Sequence, residues 1–225
     1  MEYLLFFLVS TAITVFCFWN LNKKSIILVG DIKDLLKVKD SEKSNGEKVY
    51  FALTILTCVV ISYVVQVLIY KNTDYLAFAK LCVLYAILVS ASMIDYKLKI
   101  IPNYLVLIGL GSRAIIYVLE IFLSSNLKDI LISDLIGFAL GFGVFALVSV
   151  ITKQALGFGD AKLFAVVGLT LGSFGTYSVM FTSVLVSAVI SILLLIFKKR
   201  GRKDSIPFGP CIFIGYILTL LLGSY

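Results

Sequence analysis

Eight apolar runs constrain this chain more than any other feature. They cover residues 3–19, 50–70, 75–94, 101–123, 130–152, 161–176, 177–197 and 206–225. A helix needs about 17–25 apolar residues to cross a bilayer. The runs therefore predict an all-α, polytopic integral membrane protein with eight transmembrane helices in a single membrane domain, 1–225. The sixth run is short and passes into the seventh through residues 172–175, so that boundary is the least defined.

Composition excludes several classes of protein. The chain is 60% apolar and 15% charged, whereas soluble domains are about 25% charged, so a soluble globular or disordered protein is excluded. The absence of histidine excludes Ser-His and Cys-His nucleophile pairs and an HExxH zinc site. The four cysteines, Cys17, Cys58, Cys82 and Cys211, are far apart and form no CxxC pair. We expect them to be buried and inert, with no metal site and no cofactor.

Basic residues indicate the orientation of the spans. Sixteen of the 20 lysines and arginines fall in four segments, 20–49, 97–99, 153–162 and 198–203, which lie on one side if the spans alternate. The positive-inside rule makes these segments cytoplasmic and both termini non-cytoplasmic. The net charge of +7 is then a topology signal, and we expect a lipid bilayer as partner and no nucleic acid. The basic cytoplasmic loop 20–49 is either a solvated linker or carries a short interfacial helix.

Small and charged residues inside the spans predict packing features. Gly137 and Gly141, and likewise Gly168 and Gly172, have the GxxxG spacing that lets membrane helices approach closely. Arg113, Glu120 and Asp134 fall toward the outer ends of their spans, and we expect a polar cluster there with a structural role.

Two further carboxylates point to chemistry. Asp95 lies at the inner end of the third span and Asp160 at the inner start of the sixth, so both fall at the same depth on the same face. Each could be only an interfacial cap. Together, in a histidine-free membrane protein, they suggest an aspartyl dyad that shares one proton: the ionised member activates a water and the protonated member polarises the scissile carbonyl.

The helices that carry the two acids suggest their roles. Asp160 opens a helix, where the dipole favours the ionised form, whereas Asp95 closes one, where the dipole opposes ionisation. We expect Asp160 to be the base and Asp95 the acid of the resting enzyme. The glycines before Asp160 would let the backbone turn sharply beside a substrate strand.

Three motifs in order resemble the bacterial type IV prepilin peptidases. The stretch from Gly157 through Gly159 and Asp160 to Lys162 is similar to their GxGDxK signature. Asp95, followed seven and eight residues later by Pro102 and Asn103, resembles their first aspartate motif. The tail that contains Pro207, Gly209 and Pro210 resembles their PFGP segment. The resemblance covers about residues 80–225, the region that carries the peptidase motifs.

The resemblance implies a GxGD-type aspartyl endopeptidase of the cytoplasmic (inner) membrane, with Asp95 and Asp160 catalytic at the cytoplasmic face. Its substrates would be prepilins or pseudopilins, whose basic leader is removed. The other motif residues would shape the site or hold the substrate: Gly157, Gly159, Lys162, Pro102, Asn103, Pro207, Gly209 and Pro210. Many family members also carry paired CxxC motifs in the first cytoplasmic loop and methylate the new amino terminus. Loop 20–49 has no cysteine, so we expect the short form, a protease only.

Two alternatives stay open. Presenilin-like proteases also use GxGD, but their motifs resemble YD and PAL, whereas this chain has Ile94 before Asp95 and a PFGP segment. A small proton- or ion-coupled transporter could use both acids as ligands. A transporter would more often place such acids near the bilayer midplane, and both acids fall at one edge here.

Overall fold

The structure, a computed structural model, describes residues 75–123, 126–152, 157–197 and 207–223. These residues form five helices and no strand: α1 (Tyr75–Leu98), α2 (Asn103–Leu123), α3 (Leu127–Ile151), α4 (Phe158–Ile196) and α5 (Gly209–Leu221). The predicted spans 3–19 and 50–70, the loop 20–49, Cys17 and Cys58 lie outside the described residues.

The helices α1 to α4 are each long and apolar enough to cross a membrane, and α5 is a shorter apolar helix. They match the predicted spans from the third to the eighth within a few residues, except where two predicted spans share α4. The all-helical class is confirmed for the part of the chain that the structure describes. The total of eight spans and the sidedness of the termini stay predictions.

The helix α4 is interrupted at Gly172, whose φ of 71° and ψ of −170° are not helical. A Cβ built on Gly141 of α3 would lie 2.6 Å from the Phe164 carbonyl oxygen and 3.2 Å from the Thr176 side chain. Residues 164 and 176 would be about 18 Å apart in a straight helix. The chain therefore reverses direction at Gly172, and α4 is a hairpin of two arms, residues 158–171 and 173–196. The predicted boundary at 176/177 lies four residues too late.

Glycines bring α3 against this hairpin. A Cβ on Gly137 would lie 2.6 Å from the carbonyl oxygens of both Gly168 and Gly172, so the backbones are in direct contact. The prediction that the GxxxG pairs serve close packing is confirmed. Such contacts replace the hydrophobic driving force that lipid does not supply between helices.

The helix α1 is the centre of the bundle. Most of its apolar side chains are buried, and α1 packs against α2, α4 and α5. Buried side chains are spread along it from Phe78 to Asp95, among them Leu84, Ala86 and Ala91. Cys82 of α1 and Cys211 of α5 are buried, as predicted.

Charged side chains form a buried network at the end of the bundle that holds Gly172. Arg113 of α2 pairs with Glu120 at 3.0 Å and with Asp134 of α3, and its Nε donates to the Leu169 carbonyl at 2.6 Å. Lys80 of α1 bonds Glu120 at 2.9 Å. The network ties four helices together with two cations and two anions, which supports the predicted structural cluster. We call this the arginine end of the bundle.

Candidate active site

Asp95 lies in the last turn of α1, at the end of the bundle opposite Arg113. Its backbone carbonyl accepts a hydrogen bond of 2.8 Å from the Lys99 amide, and Lys99 has a φ of 54°. A residue in this left-handed conformation ends a helix by satisfying its last carbonyl groups. The Asp95 carboxylate is directed into the bundle, where the residue is only 6% exposed.

Asp160 lies in the first turn of α4. The extended Gly157 is the N-cap, and its carbonyl accepts the Asp160 amide at 3.1 Å. The Asp160 carboxylate turns back toward this cap, since a Cβ on Gly157 would lie 3.5 Å from Oδ2. Asp160 is 8% exposed, so this acid is also taken out of solvent.

The fold brings the two acids to the same end of the bundle. The ring of Phe208, next to Gly209, is 6.4 Å from the ring of Phe164. Gly209 contacts Asp95, and Phe164 lies one helical turn after Asp160. Two partly desolvated carboxylates so placed repel each other when both are ionised, so sharing a proton lowers the energy of the pair. We call this region the carboxylate end of the bundle.

The segment from Pro207 to Pro210 supplies a contact to Asp95. The backbone amide of Gly209, at the start of α5, donates a hydrogen bond of 2.7 Å to Asp95 Oδ2. A Cβ on Gly209 would lie 2.9 Å from the Asp95 Cβ and 3.0 Å from Oδ2, so a side chain here would displace the acid. Pro210 follows in the first turn of α5, where its missing N–H costs nothing. Pro207 accepts a weak bond of 3.9 Å from the Cys211 thiol.

This contact changes the basis of the predicted acid and base roles. The predicted roles rest only on the helices that carry the two acids. The structure places Asp95 at the end of α1 and also against the N-terminus of α5, whose dipole and free amide stabilise an ionised carboxylate. The helix dipoles therefore no longer distinguish Asp95 from Asp160, and the assignment of base and acid stays a prediction.

The other motif residues join α2 to the start of α4. Lys162 Nζ donates a hydrogen bond of 2.8 Å to Asn103 Oδ1, the first residue of α2. Pro102 precedes Asn103, and its carbonyl accepts the Leu105 amide at 3.2 Å. A Cβ on Gly159 would lie 3.0 Å from the Ile101 Cβ, so a glycine there lets the two segments touch. Space alone does not require the glycine at 157, where a Cβ would make only ordinary contacts.

Three aromatic residues at the carboxylate end were given no role from the sequence, although Phe208 is part of the PFGP segment. Phe208 precedes Gly209, Phe164 lies one turn after Asp160, and both contact the Phe145 ring. The spacing of Phe164 from Asp160 could have indicated it, because residues i and i+4 share a helix face. The sequence holds no comparable signal for Phe145.

Side chains that could bind a metal are sparse in the described segments. No group of three or more cysteine, aspartate or glutamate side chains is found among them that could hold an ion. The arrangement that the described residues do provide is a pair of carboxylates, one of which is held by a backbone amide.

Sequence comparisons identify the relatives of this chain. The type IV leader peptidase family matches residues 82–194, just over half of the chain. A prepilin leader peptidase/N-methyltransferase of Bacillus subtilis is 31% identical over 142 residues, 62% of this chain and 54% of the relative. Proteins of the same name from Xanthomonas campestris pv. campestris and Pseudomonas putida are 34% and 30% identical, over 63% and 61% of this chain and 49% and 47% of theirs.

This chain therefore spans about half the length of the curated relatives it matches. No solved structure matches it. The family match includes both Asp95 and Asp160 and ends before α5. On this match, which covers half of its residues, the chain belongs to the type IV leader peptidase family.

Proposed function

We propose that this protein is a membrane aspartyl endopeptidase that removes the basic leader of prepilins or prepilin-like proteins at the cytoplasmic face. The observation that carries the proposal is the burial of both Asp95 and Asp160 at the same end of the bundle. Membership of the type IV leader peptidase family and the names of the relatives support the substrate class.

The reaction follows from what two carboxylates that share a proton can do. The ionised member takes a proton from a water, whose oxygen attacks the scissile carbonyl carbon, while the protonated member donates a hydrogen bond to the carbonyl oxygen. The tetrahedral intermediate collapses when the amide nitrogen receives a proton and the C–N bond breaks. The leader leaves with a new carboxylate and the mature protein with a free amino terminus.

The basic residues support a cytoplasmic position for this chemistry. Lys99 and Lys162 lie at the carboxylate end, four and two residues from the two acids, and the positive-inside rule assigns that end to the cytoplasm. A basic leader held at the anionic surface of the inner leaflet is concentrated where the two acids lie. We propose cleavage without methylation, because loop 20–49 contains no cysteine.

The test is cleavage of a purified prepilin with a basic leader by the full chain in mixed micelles. We expect the unchanged protein to cleave, and Asp95→Asn and Asp160→Asn each to lose activity by at least about 1,000-fold. Asp129→Asn at the arginine end is the matched control and retains it. Cleavage that persists in either active-site variant contradicts the proposal, and no cleavage by the unchanged chain favours a transporter.

Two further readouts separate the finer alternatives. Mass spectrometry of the products locates the cut: a single cut just before the hydrophobic helix supports a prepilin peptidase, whereas cuts within that helix support a presenilin-like protease. Transfer of a labelled methyl group from S-adenosylmethionine to the cleaved product contradicts the protease-only proposal.

A further inference from the structure

Three phenylalanine rings form one cluster at the carboxylate end, in which Phe145 and Phe164 are buried and Phe208 is half-buried. The rings of Phe145 of α3 and Phe164 of α4 stack almost in parallel, with centroids 4.1 Å apart and planes 8° apart. Phe208, just before α5, lies 5.7 Å from Phe145 and 6.4 Å from Phe164, tilted by 40° and 34°. We call these three residues the phenylalanine triad.

Two members of the triad each lie close in sequence to a residue that carries or contacts one of the carboxylates. Phe164 follows Asp160 by one helical turn, so the two residues share a face of the same rigid arm. Phe208 directly precedes Gly209, whose amide donates to Asp95. Phe145 is adjacent to neither acid in sequence, yet its ring contacts both of the others.

The spacing of the two carboxylates depends on packing. Among the described residues no hydrogen bond joins Asp95 to Asp160. Asp95 belongs to α1 and is bonded to the start of α5, so its separation from Asp160 follows from how the start of α4 packs against α1 and against the start of α5. Phe145 lies between these starts: it is 5% exposed and stacks on Phe164, which is fully buried. Packed aromatic rings have few rotamers and a defined contact geometry.

We propose that Phe145 is a positioning residue that sets the spacing of Asp95 and Asp160 through the phenylalanine triad. The inference rests on the proposed function, because it makes Phe145 responsible for the spacing that the aspartyl pair needs to activate a water. Phe145 does not touch the reacting atoms. It holds the first arm of α4, which carries Asp160, at a fixed distance from the segment that binds Asp95.

The proposal predicts a loss in the chemical step. Leucine at 145 would fill part of the volume but could not stack, so Phe164 and Phe208 would move relative to each other. A shift of 1 Å between reacting groups costs about 100-fold in rate. Phe145 is buried and offers little surface to a substrate, so the Michaelis constant should change little.

The experiment measures kcat and KM for prepilin cleavage by the full chain in mixed micelles. We expect Phe145→Leu to lower kcat by about 10- to 100-fold with KM within about twofold of the unchanged protein. The conservative Phe145→Tyr keeps the ring and should keep kcat within about threefold. The matched control is Phe78→Leu, which removes a ring that is 1% exposed near the other end of α1 and should leave kcat within about twofold.

The outcomes separate this inference from the proposed function. If the unchanged chain does not cleave, or cleaves without Asp95, the proposed function fails. If it cleaves in an Asp95-dependent way and Phe145→Leu loses no more kcat than Phe78→Leu, only the role of Phe145 is overturned. Should Phe145→Leu not fold, Phe145→Met takes its place, because it replaces the ring by a flexible chain of similar bulk. Its loss of kcat is then compared with that of Phe78→Leu in the same way.

Discussion

The Gly209 amide donates a hydrogen bond of 2.7 Å to the Asp95 carboxylate, across 114 residues of sequence. The bond joins the last turn of α1 to the first turn of α5. Asp95 therefore lies near the end of its own helix and accepts a hydrogen bond from the start of another. An N-terminal helix amide without an intrahelical partner needs an acceptor, and here a carboxylate supplies it. The contact also restricts where the acid can point.

Gly209→Ala should therefore impair cleavage more than it impairs folding. The added Cβ would lie 2.9 Å from the Asp95 Cβ and 3.0 Å from Oδ2, so the carboxylate must move by a few tenths of an ångström or more. We expect a fall in kcat of about 10-fold or greater. Gly143→Ala, where a Cβ meets no atom within 4 Å, is the control, and equal activity of the two variants would contradict the prediction.

Loss of the Arg113 guanidinium should destabilise the fold at the arginine end. Arg113→Met leaves Asp134, which is 4% exposed, without the guanidinium that neutralises it. Breaking a buried ion pair from one side costs about 3–5 kcal/mol, measured by detergent-denaturant titration of the protein in micelles. Lys80→Met should cost less, because Lys80 is more exposed and Glu120 keeps its bond to Arg113. A larger loss for Lys80→Met would refute this ranking.

The hairpin of α4 should depend on the glycine at its turn. With a φ of 71° and a ψ of −170°, Gly172 has a conformation that is open essentially to glycine alone, and other residues lose about 1–3 kcal/mol there. A Cβ would also lie 2.5 Å from the Ser133 hydroxyl. We expect Gly172→Ala to lower the midpoint of thermal unfolding, and Gly111→Ala, in open space, to leave it unchanged or raised. Equal midpoints would mean that the turn tolerates a side chain.

The bond between Lys162 and Asn103 should be weak. It spans 2.8 Å at an exposed position, where a single charge-assisted contact contributes about 0.2–1 kcal/mol. A double-mutant cycle with Lys162→Met and Asn103→Ala measures the coupling free energy directly. A coupling above about 2 kcal/mol would show that the site is less solvated than the exposure indicates.

Thiol labelling tests which end of the bundle faces the cytoplasm. Lys99 lies at the carboxylate end and Asp129 at the arginine end, both as exposed residues. If the carboxylate end is cytoplasmic, a membrane-impermeant maleimide should label Asp129→Cys in intact cells and Lys99→Cys only after lysis. The unsubstituted chain measures the background from the native thiols. The reverse pattern would invert the topology and contradict a cytoplasmic site.

Much of this architecture could be predicted because lipid imposes simple rules on sequence. The apolar runs predicted α1, α2 and α3 within a few residues, and the spacing of Gly137 and Gly141 indicated the close contact between α3 and α4. The predicted cluster around Arg113 followed from the cost of burying a lone charge. Each of these signals is local in sequence.

The features that sequence did not predict depend on contacts between distant segments. Nothing near Asp95 indicates that a backbone amide from residue 209 will bind its carboxylate. Phe145 stands among other apolar residues of α3, as Phe142 and Val148 do, and only the packing of three elements distinguishes it. The reversal at Gly172 was placed four residues late, because apolar composition continues through the turn and only the backbone angles mark it.

The first arm of the α4 hairpin has a consequence for the surrounding lipid. From Phe158 to Leu171 it has 14 residues, a rise of about 21 Å, against a hydrocarbon thickness of about 30 Å. A helix that short thins the membrane around it or draws solvent inward. On the proposed function, Asp160 then lies below the level of the surrounding headgroups, and a leader peptide would have to pass beneath that level to be cut.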